Sequence, residues 1–560
     1  MLNIDQLFKN RIETEKYLRN VYSYLPSEEA AGNSYAGISD EGDIVFSNFR
    51  SNDINTGNWS PVSIPYNDYS YLYRGIRSAS VFIDRVGDCV ECETFKPGST
   101  NTFKSEALAL RSWYYFLLMR KFGPVALIKK VLPVDVAAAD TKIPRNTYDE
   151  CVEYIIGGLD QAMAALPDAI LNSTEYGKID RKVVLAMKSR ILLYAASPLW
   201  NGNTDYSNFK NTDGKSLVNG TYDVKKWALA ANVSRELINM MPDGLYKEND
   251  AQGNLDPFLS YRNLFFNRFN KEVIWARPNS TVPGSIDWEK HTAPRQENGY
   301  NGMAVTQNQV DAYHMANGKQ ITEAGSGYTE NGFSNIDTKY SKAGDWNMYV
   351  NREPRFYATV LYNGAIWPFT DNGIHKVELF ANGLSGKNGS HDYSATGYLI
   401  KKFSSPQTDV RNDRYAAQAT IFIRLGEIYL NYAEALNEVD PTNASIAKYV
   451  NLVRERGGIT NLPAGIGQAE MRERIRTERK IELAFESHRL FDTRRWKIAK
   501  QTDGGPMYGM NVSQGNSFTD VSFYKRTVFE NRVFENKHYL WPIPQSEMDR
   551  NKVMVQNPEW

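Results

Sequence analysis

Three glutamates, Glu478, Glu482 and Glu486, repeat every fourth residue, so a helix would stack them on one face. Paired carboxylates about 5 to 9.5 Å apart are the equipment of glycoside hydrolysis. Arg476, Arg479, Arg489, Arg494 and Arg495 surround them, however. That density of guanidinium predicts an ion-pair network rather than an acid and a base. His488 lacks a nucleophile partner, and no G-x-S-x-G elbow occurs. Neither a phosphate-binding G-x-x-x-x-G-K-[ST] loop nor an H-E-x-x-H zinc motif is present. Cys89 and Cys92 form a C-x-x-C pair, with Cys151 the only other cysteine. The pair follows a helical stretch, the wrong context for a redox motif, and too few further ligands exist for zinc. It is either a local disulfide or two free thiols.

The residues best suited to chemistry are aromatics and amides in loops. A sugar ring packs its C–H face on Trp or Tyr. Its hydroxyls need amide, carboxylate or guanidinium partners. Two stretches combine these groups. Arg50–Trp59, continuing to Tyr66, offers Asn55, Asn58, Trp59 and Tyr66. Ile286–Lys290, continuing through Arg295 to Asn301, offers Trp288, Arg295, Tyr300 and Asn301. Trp346 and Trp367 are weaker candidates, and Trp113, Trp496 and Trp541 sit in helix or tail segments that assign them to the core.

A helical frame must position these loops. Apolar residues of Asn67–Val86 recur at Tyr69, Leu72, Tyr73, Ile76 and Ala79, the helical period. Lys104–Phe122 has a polar face at Lys104, Glu106 and Arg111 and stops at Gly123-Pro124. Thr147-Tyr-Asp-Glu150 is a capping box opening a helix that runs toward Leu166-Pro167. Arg181–Ser197 stops at Pro198, and Asp223–Met241 at Pro242. This spacing is close to the roughly 34-residue period of tetratricopeptide hairpins, although the strict consensus is absent. The stretch 243–420 is rich in Gly, Asn, Pro and aromatics, as in Asn298–Gly302 and Ala324–Tyr328, with short strand-like runs such as Phe356–Tyr362. Helical periodicity returns in Ile421–Glu438, Asn443–Arg456 and Gln468–Ser487. We therefore read 1–560 as one unit: a helical part to 242, a loop-rich ligand-binding part over 243–420, and a helical part with a tail over 421–560.

The 560 residues carry 65 Lys+Arg against 65 Asp+Glu, a formal net charge of +0. That excludes the basic excess of a nucleic-acid binder. No run of 18 apolar residues exists to span a membrane. Tyr, Phe and Trp number 34, 25 and 11, enough to furnish stacking faces as well as a core.

Several segments resemble one family. Ile423-Arg-Leu-Gly-Glu-Ile-Tyr-Leu-Asn-Tyr-Ala-Glu-Ala-Leu-Asn-Glu438 and Val450–Arg456 are similar to the SusD/RagB family of Bacteroidetes outer-membrane glycan-binding lipoproteins. Glu478–Asp492 with Arg495-Trp-Lys497, Leu540–Asp549 and Gln556–Trp560 resemble its C-terminal motifs. Ser189–Pro198 and Thr306–Tyr313 agree upstream. The resemblance implies a mostly α fold, with tetratricopeptide-like helical hairpins supporting an irregular, loop-rich binding region with a few short strands. It implies non-catalytic capture of oligosaccharide or polysaccharide and delivery to a SusC-like TonB-dependent transporter. Members carry a signal peptide and a lipidated N-terminal cysteine, so the resemblance implies an outer-membrane, cell-surface position through a lipid anchor. Some members bind calcium, but no short Asp-rich loop demands it and no cofactor is expected. The ligand residues expected are Asn58, Trp59, Tyr66, Trp288, Arg295, Tyr300 and Asn301. The alternatives are a helical-repeat lid for a non-glycan nutrient such as peptide and, behind it, a glycoside hydrolase.

Overall fold

The computed structural model describes residues 4–560 except 29, 134, 136, 138–140, 269, 279–282, 368–374 and 389–391. The helices that build the frame are α1 (Arg11–Tyr22), α2 (Tyr69–Arg85), α3 (Val90–Phe95), α4 (Ser99–Phe122), α5 (Tyr148–Met163), α6 (Arg181–Ala196) and α7 (Val224–Asn239). After α8 (Pro283–Thr292) come α9 (Leu425–Val439), α10 (Ala444–Arg456), α11 (Gln468–Glu482) and α12 (Arg489–Arg495). Their stops have local causes. Gly123 ends α4 at φ 71°, a conformation glycine adopts without strain. At α5 the Thr147 hydroxyl accepts from Glu150 N while the Glu150 carboxylate accepts from Thr147 N, closing the capping box.

The helices stack in order: α1 on α2, α2 on α4, then α4 to α7 each on the next. α7 then packs on α9, nearly two hundred residues further along, and α9 packs on α10 and α11. One stack thus includes both helical parts, and the loop-rich stretch hangs between α7 and α9. α4 lies in the middle of it. Glu106, placed on a polar face by its sequence, is 2% exposed there.

Among the described residues ten strands form five antiparallel pairs: β1 (Gly42–Ile44) with β3 (Met303–Val305), β2 (Val273–Arg277) with β8 (Thr420–Arg424), β4 (Val360–Tyr362) with β7 (Tyr398–Ile400), β5 (Ile366–Trp367) with β6 (His375–Lys376), and β9 (Gly505–Gly509) with β10 (Thr527–Arg532). Three boundaries differ from the periodicity. Ile421–Arg424 is strand rather than helix, because Ile421 and Ile423 pair across to Ala276 and Trp275. Residues 354–359 are helical before β4 begins. α11 ends at Glu482 because Phe485 and Ser487 turn into the left-handed region at φ 61° and 62°.

The hydrophobic interior has two parts. One fills the helical stack. The other lies under the loop-rich stretch and is dominated by aromatics. There Tyr349 stacks on Tyr362 at 4.5 Å and Trp346 on Tyr524 at 4.4 Å. Ten of the eleven tryptophans are buried and Trp560 is half-buried.

A buried ion network joins the two parts. Glu482 accepts from Arg355 at 3.0 Å, from Arg424 at 2.7 Å and from Arg456. Glu478 pairs with Arg355 at 2.6 Å, and Glu486 with Lys402 at 2.6 Å and Arg424 at 2.7 Å. Burial pushes the Glu482 carboxyl up, and Arg456, Arg424 and Arg355 together outweigh it, holding it at about 2. Glu482 and Glu486 are thereby held as anions, each neutralised by the cations packed against it. Cys89 and Cys92 are disulfide-bonded, and Cys151 is buried and free.

Candidate functional site

An open cavity of about 570 Å³ lies where the end of α1, the start of α2 and strand β2 meet. Its volume falls in the range of small-ligand sites, roughly 300–1,000 Å³. Tyr22, Tyr35, Tyr66 and Tyr71 present rings to it, Asn33 and Asn67 present amides, and Glu28, Asp68, Lys121 and Arg277 present charges. Several are held from behind. Tyr66 sits at φ 54°, a strained position for a side-chain-bearing residue, and its carbonyl accepts from the buried Lys121 ammonium at 3.1 Å. Lys121 also binds Asp68 Oδ2 at 2.7 Å. The Tyr71 hydroxyl donates to the Ser23 carbonyl at 2.8 Å, and the ring lies 5.3 Å from Tyr24. Arg277 donates to the carbonyls of Leu25 (2.7 Å) and Pro26 (3.2 Å) and to Ser27 Oγ (2.9 Å), clamping the cavity wall. The Tyr66 hydroxyl and Asp68 Oδ1 are buried without a hydrogen-bond partner among the described residues.

A smaller inner chamber of about 120 Å³ adjoins this cavity along Leu25, Pro26 and Glu28, which line both. Trp113, Trp288, Phe403 and Phe422 wall it, and the buried Arg120 pairs there with Glu28.

The expected ligand residues separate. Tyr66 lines the outer cavity and Trp288 the inner one. Trp288 lies on helix α8 rather than in a loop, is 5% exposed, and donates its indole N–H to the Lys402 carbonyl at 3.1 Å. Trp59 is in the core: Trp560 lies 4.6 Å from it, His538 5.2 Å and Trp541 5.4 Å, so no face is left for a sugar. Asn58 is exposed beside it, away from both cavities. Asn55 is buried and donates to the Gly37 carbonyl. Arg295 donates to the carbonyls of Leu384, Gly386 and Asp392, and Asn301 donates to those of Ser385 and Asp392. Both therefore pin a neighbouring loop instead of facing a ligand. Tyr300 is 43% exposed beside His291, outside both cavities.

Sequence reasoning did not single out Tyr22, Glu28, Asn33, Tyr35, Asn67, Asp68, Tyr71, Lys121 or Arg277, which line this cavity. One signal was present: Tyr71 falls off the apolar face of its helix. Arg277 gave none, since it lies in a short strand whose neighbours are apolar.

Comparison with known proteins agrees with the architecture. The profile described as SusD family matches residues 270–560, and one described as starch-binding associating with outer membrane matches residues 3–193. SusD-like protein P2 of Formosa agariphila is 25% identical over 466 residues, covering 82% of this chain and 74% of its own length. The solved structure of BT4246 superposes with a TM-score of 0.85 at 26% identity, covering 98% of this chain and 99% of its own. A SusD-like protein of Bacteroides fragilis NCTC 9343 superposes at 0.77 and 25% identity, covering 100% and 99%. With the first profile spanning more than half its length, this chain belongs to the SusD family.

Proposed function

We propose that this protein captures an oligosaccharide at the cell surface, performs no chemistry on it, and passes it to a SusC-like TonB-dependent transporter. One observation carries the binding step: tyrosines, amide side chains and charged groups line one open cavity of about 570 Å³. Rings supply stacking surface, and amides with Asp68 supply hydroxyl partners. The cavity carboxylates Glu28 and Asp68 each face a buried cation, Arg120 or Lys121, which suits anchoring more than proton transfer. The reading needs no metal or cofactor. Among the described residues no helix is long and apolar enough to cross a membrane, and in this proposal a lipid anchor supplies the attachment. The family description, starch-binding and outer-membrane association, supports the location.

Native affinity electrophoresis through a polysaccharide panel tests the binding step. Retardation by one polysaccharide, lost in a folded Tyr71→Ala/Asn33→Ala variant, is the expected result. Full retardation of that variant sinks this cavity as the site.

A further inference from the structure

We infer that the binding surface continues into a second, longer groove that takes the charged units of an anionic linear glycan. This rests on the glycan reading above and extends it to a substrate class. The groove has a volume of about 960 Å³ and runs between α1, the first turns of α4 and the segment after α5. Tyr22, Leu25 and Arg277 line both it and the outer cavity, so the two adjoin. A ligand that fills one at this boundary meets the other.

The groove differs from the cavity in chemistry. Its floor is apolar, with Leu18, Phe103, Leu166 and Ile179. Along it stands Phe95, 69% exposed, with the Arg11 guanidinium 4.0 Å over one face of the ring. Such a surface suits the C–H faces of sugar rings. Arg11, Arg19, Lys96 and Lys178 supply positive charge. Arg11 pairs with Glu15 at 2.6 Å and Lys178 with Glu175 at 2.7 Å. Arg19 and Lys96 are exposed and form no salt bridge among the described residues, although Lys96 lies near enough to Glu175 to lower that carboxyl. The groove's remaining acid, Glu106, is buried against the Tyr22 hydroxyl at 2.6 Å. Burial pushes it up to about 7, against the pull of that hydroxyl, so it opposes an anion only in part near neutrality. A chain with a net charge of +0 thus gathers five cations, Arg11, Arg19, Lys96, Lys178 and Arg277, against three acids, Glu15, Glu106 and Glu175, along one groove. A neutral glycan would leave Arg19 and Lys96 without a role there. Carboxylate and sulfate esters share the chemistry they recognise.

Affinity electrophoresis and titration calorimetry would compare three probes: a polyuronate, a sulfated polysaccharide and a neutral polysaccharide. Each is run at low and high salt with wild type, Arg19→Gln/Lys96→Gln, and Tyr71→Ala. One polyanion is expected to bind, more weakly at high salt, and to lose about fivefold in affinity in the double variant. Whether the polyuronate or the sulfated probe binds identifies the anion. Binding of a polyanion that Tyr71→Ala abolishes, but that salt and the double variant leave unchanged, overturns the groove while the glycan reading survives. Binding of the neutral probe alone also overturns it. No binding of any probe overturns both.

Discussion

Tyr66→Phe deletes one oxygen atom and should move two observables in opposite directions. The backbone at position 66 keeps its left-handed conformation, because Phe and Tyr bear the same strain there. The ring keeps its place 5.8 Å from Tyr35. Only the hydroxyl goes, and it is buried without a partner among the described residues. Burying an unsatisfied hydroxyl costs about 1–3 kcal/mol in mutational data. Tyr66→Phe should therefore hold or raise stability, by up to that amount. A ligand hydrogen-bonded to the hydroxyl would lose about 0.5–1.5 kcal/mol, roughly two- to twelvefold in Kd. Urea denaturation reads the first quantity and titration calorimetry with the retained polysaccharide reads the second. A variant destabilised by more than about 1 kcal/mol, with unchanged Kd, would refute the reasoning. The hydroxyl would then anchor the fold rather than meet a ligand.

Trp59→Ala should cost about 3–5 kcal/mol of stability, because three aromatic neighbours lose their packing. The glycan affinity of the folded fraction should stay at the wild-type value, measured by calorimetry below the unfolding transition. Glu482→Gln removes the charge that three buried guanidiniums share and should cost about 3–5 kcal/mol in urea denaturation. The pH dependence follows from Glu41 and Glu289, each pushed up to about 8 by burial. Between pH 6.5 and 8 the folded protein holds protons that the unfolded chain has released, so stability should fall as pH rises. The slope is at most about 1.4 kcal/mol per pH unit for each group. His538, pulled down to about 4 by burial, acts in the opposite sense only below its ordinary value. Glu41→Gln should flatten the slope of the urea midpoint over this window, and an unchanged slope would contradict the assignment.

Much of the frame was legible because local signals end each element. The capping box at Thr147, the Gly123-Pro124 stop and the prolines at 198 and 242 bound helices that lie within a few residues of those read from periodicity. The acidic series at 478, 482 and 486 was also legible as an ion network, since its arginine neighbours are close in sequence. The site was less legible. Trp59 looks like a loop platform until residues 538, 541 and 560 close over it, contacts no local pattern encodes. Arg295 and Asn301 have the right groups for sugars but spend them on carbonyls about ninety residues away. Tyr66, singled out as an aromatic in the loop that leads into the Asn67 helix, does line the outer cavity.

The contact between α7 and α9 has a consequence for how such a chain can change. The stack registers across that contact, so the loop-rich stretch is a closed excursion whose two ends are held by the same pair of helices. Closing a loop costs entropy that grows only with the logarithm of its length, about 0.6 kcal/mol per doubling. Insertions and deletions within the excursion leave the helical register untouched. A lineage can therefore lengthen or shorten the excursion's surface loops while it keeps the buried residues, such as Arg355 and Lys402, that tie the excursion to the helices.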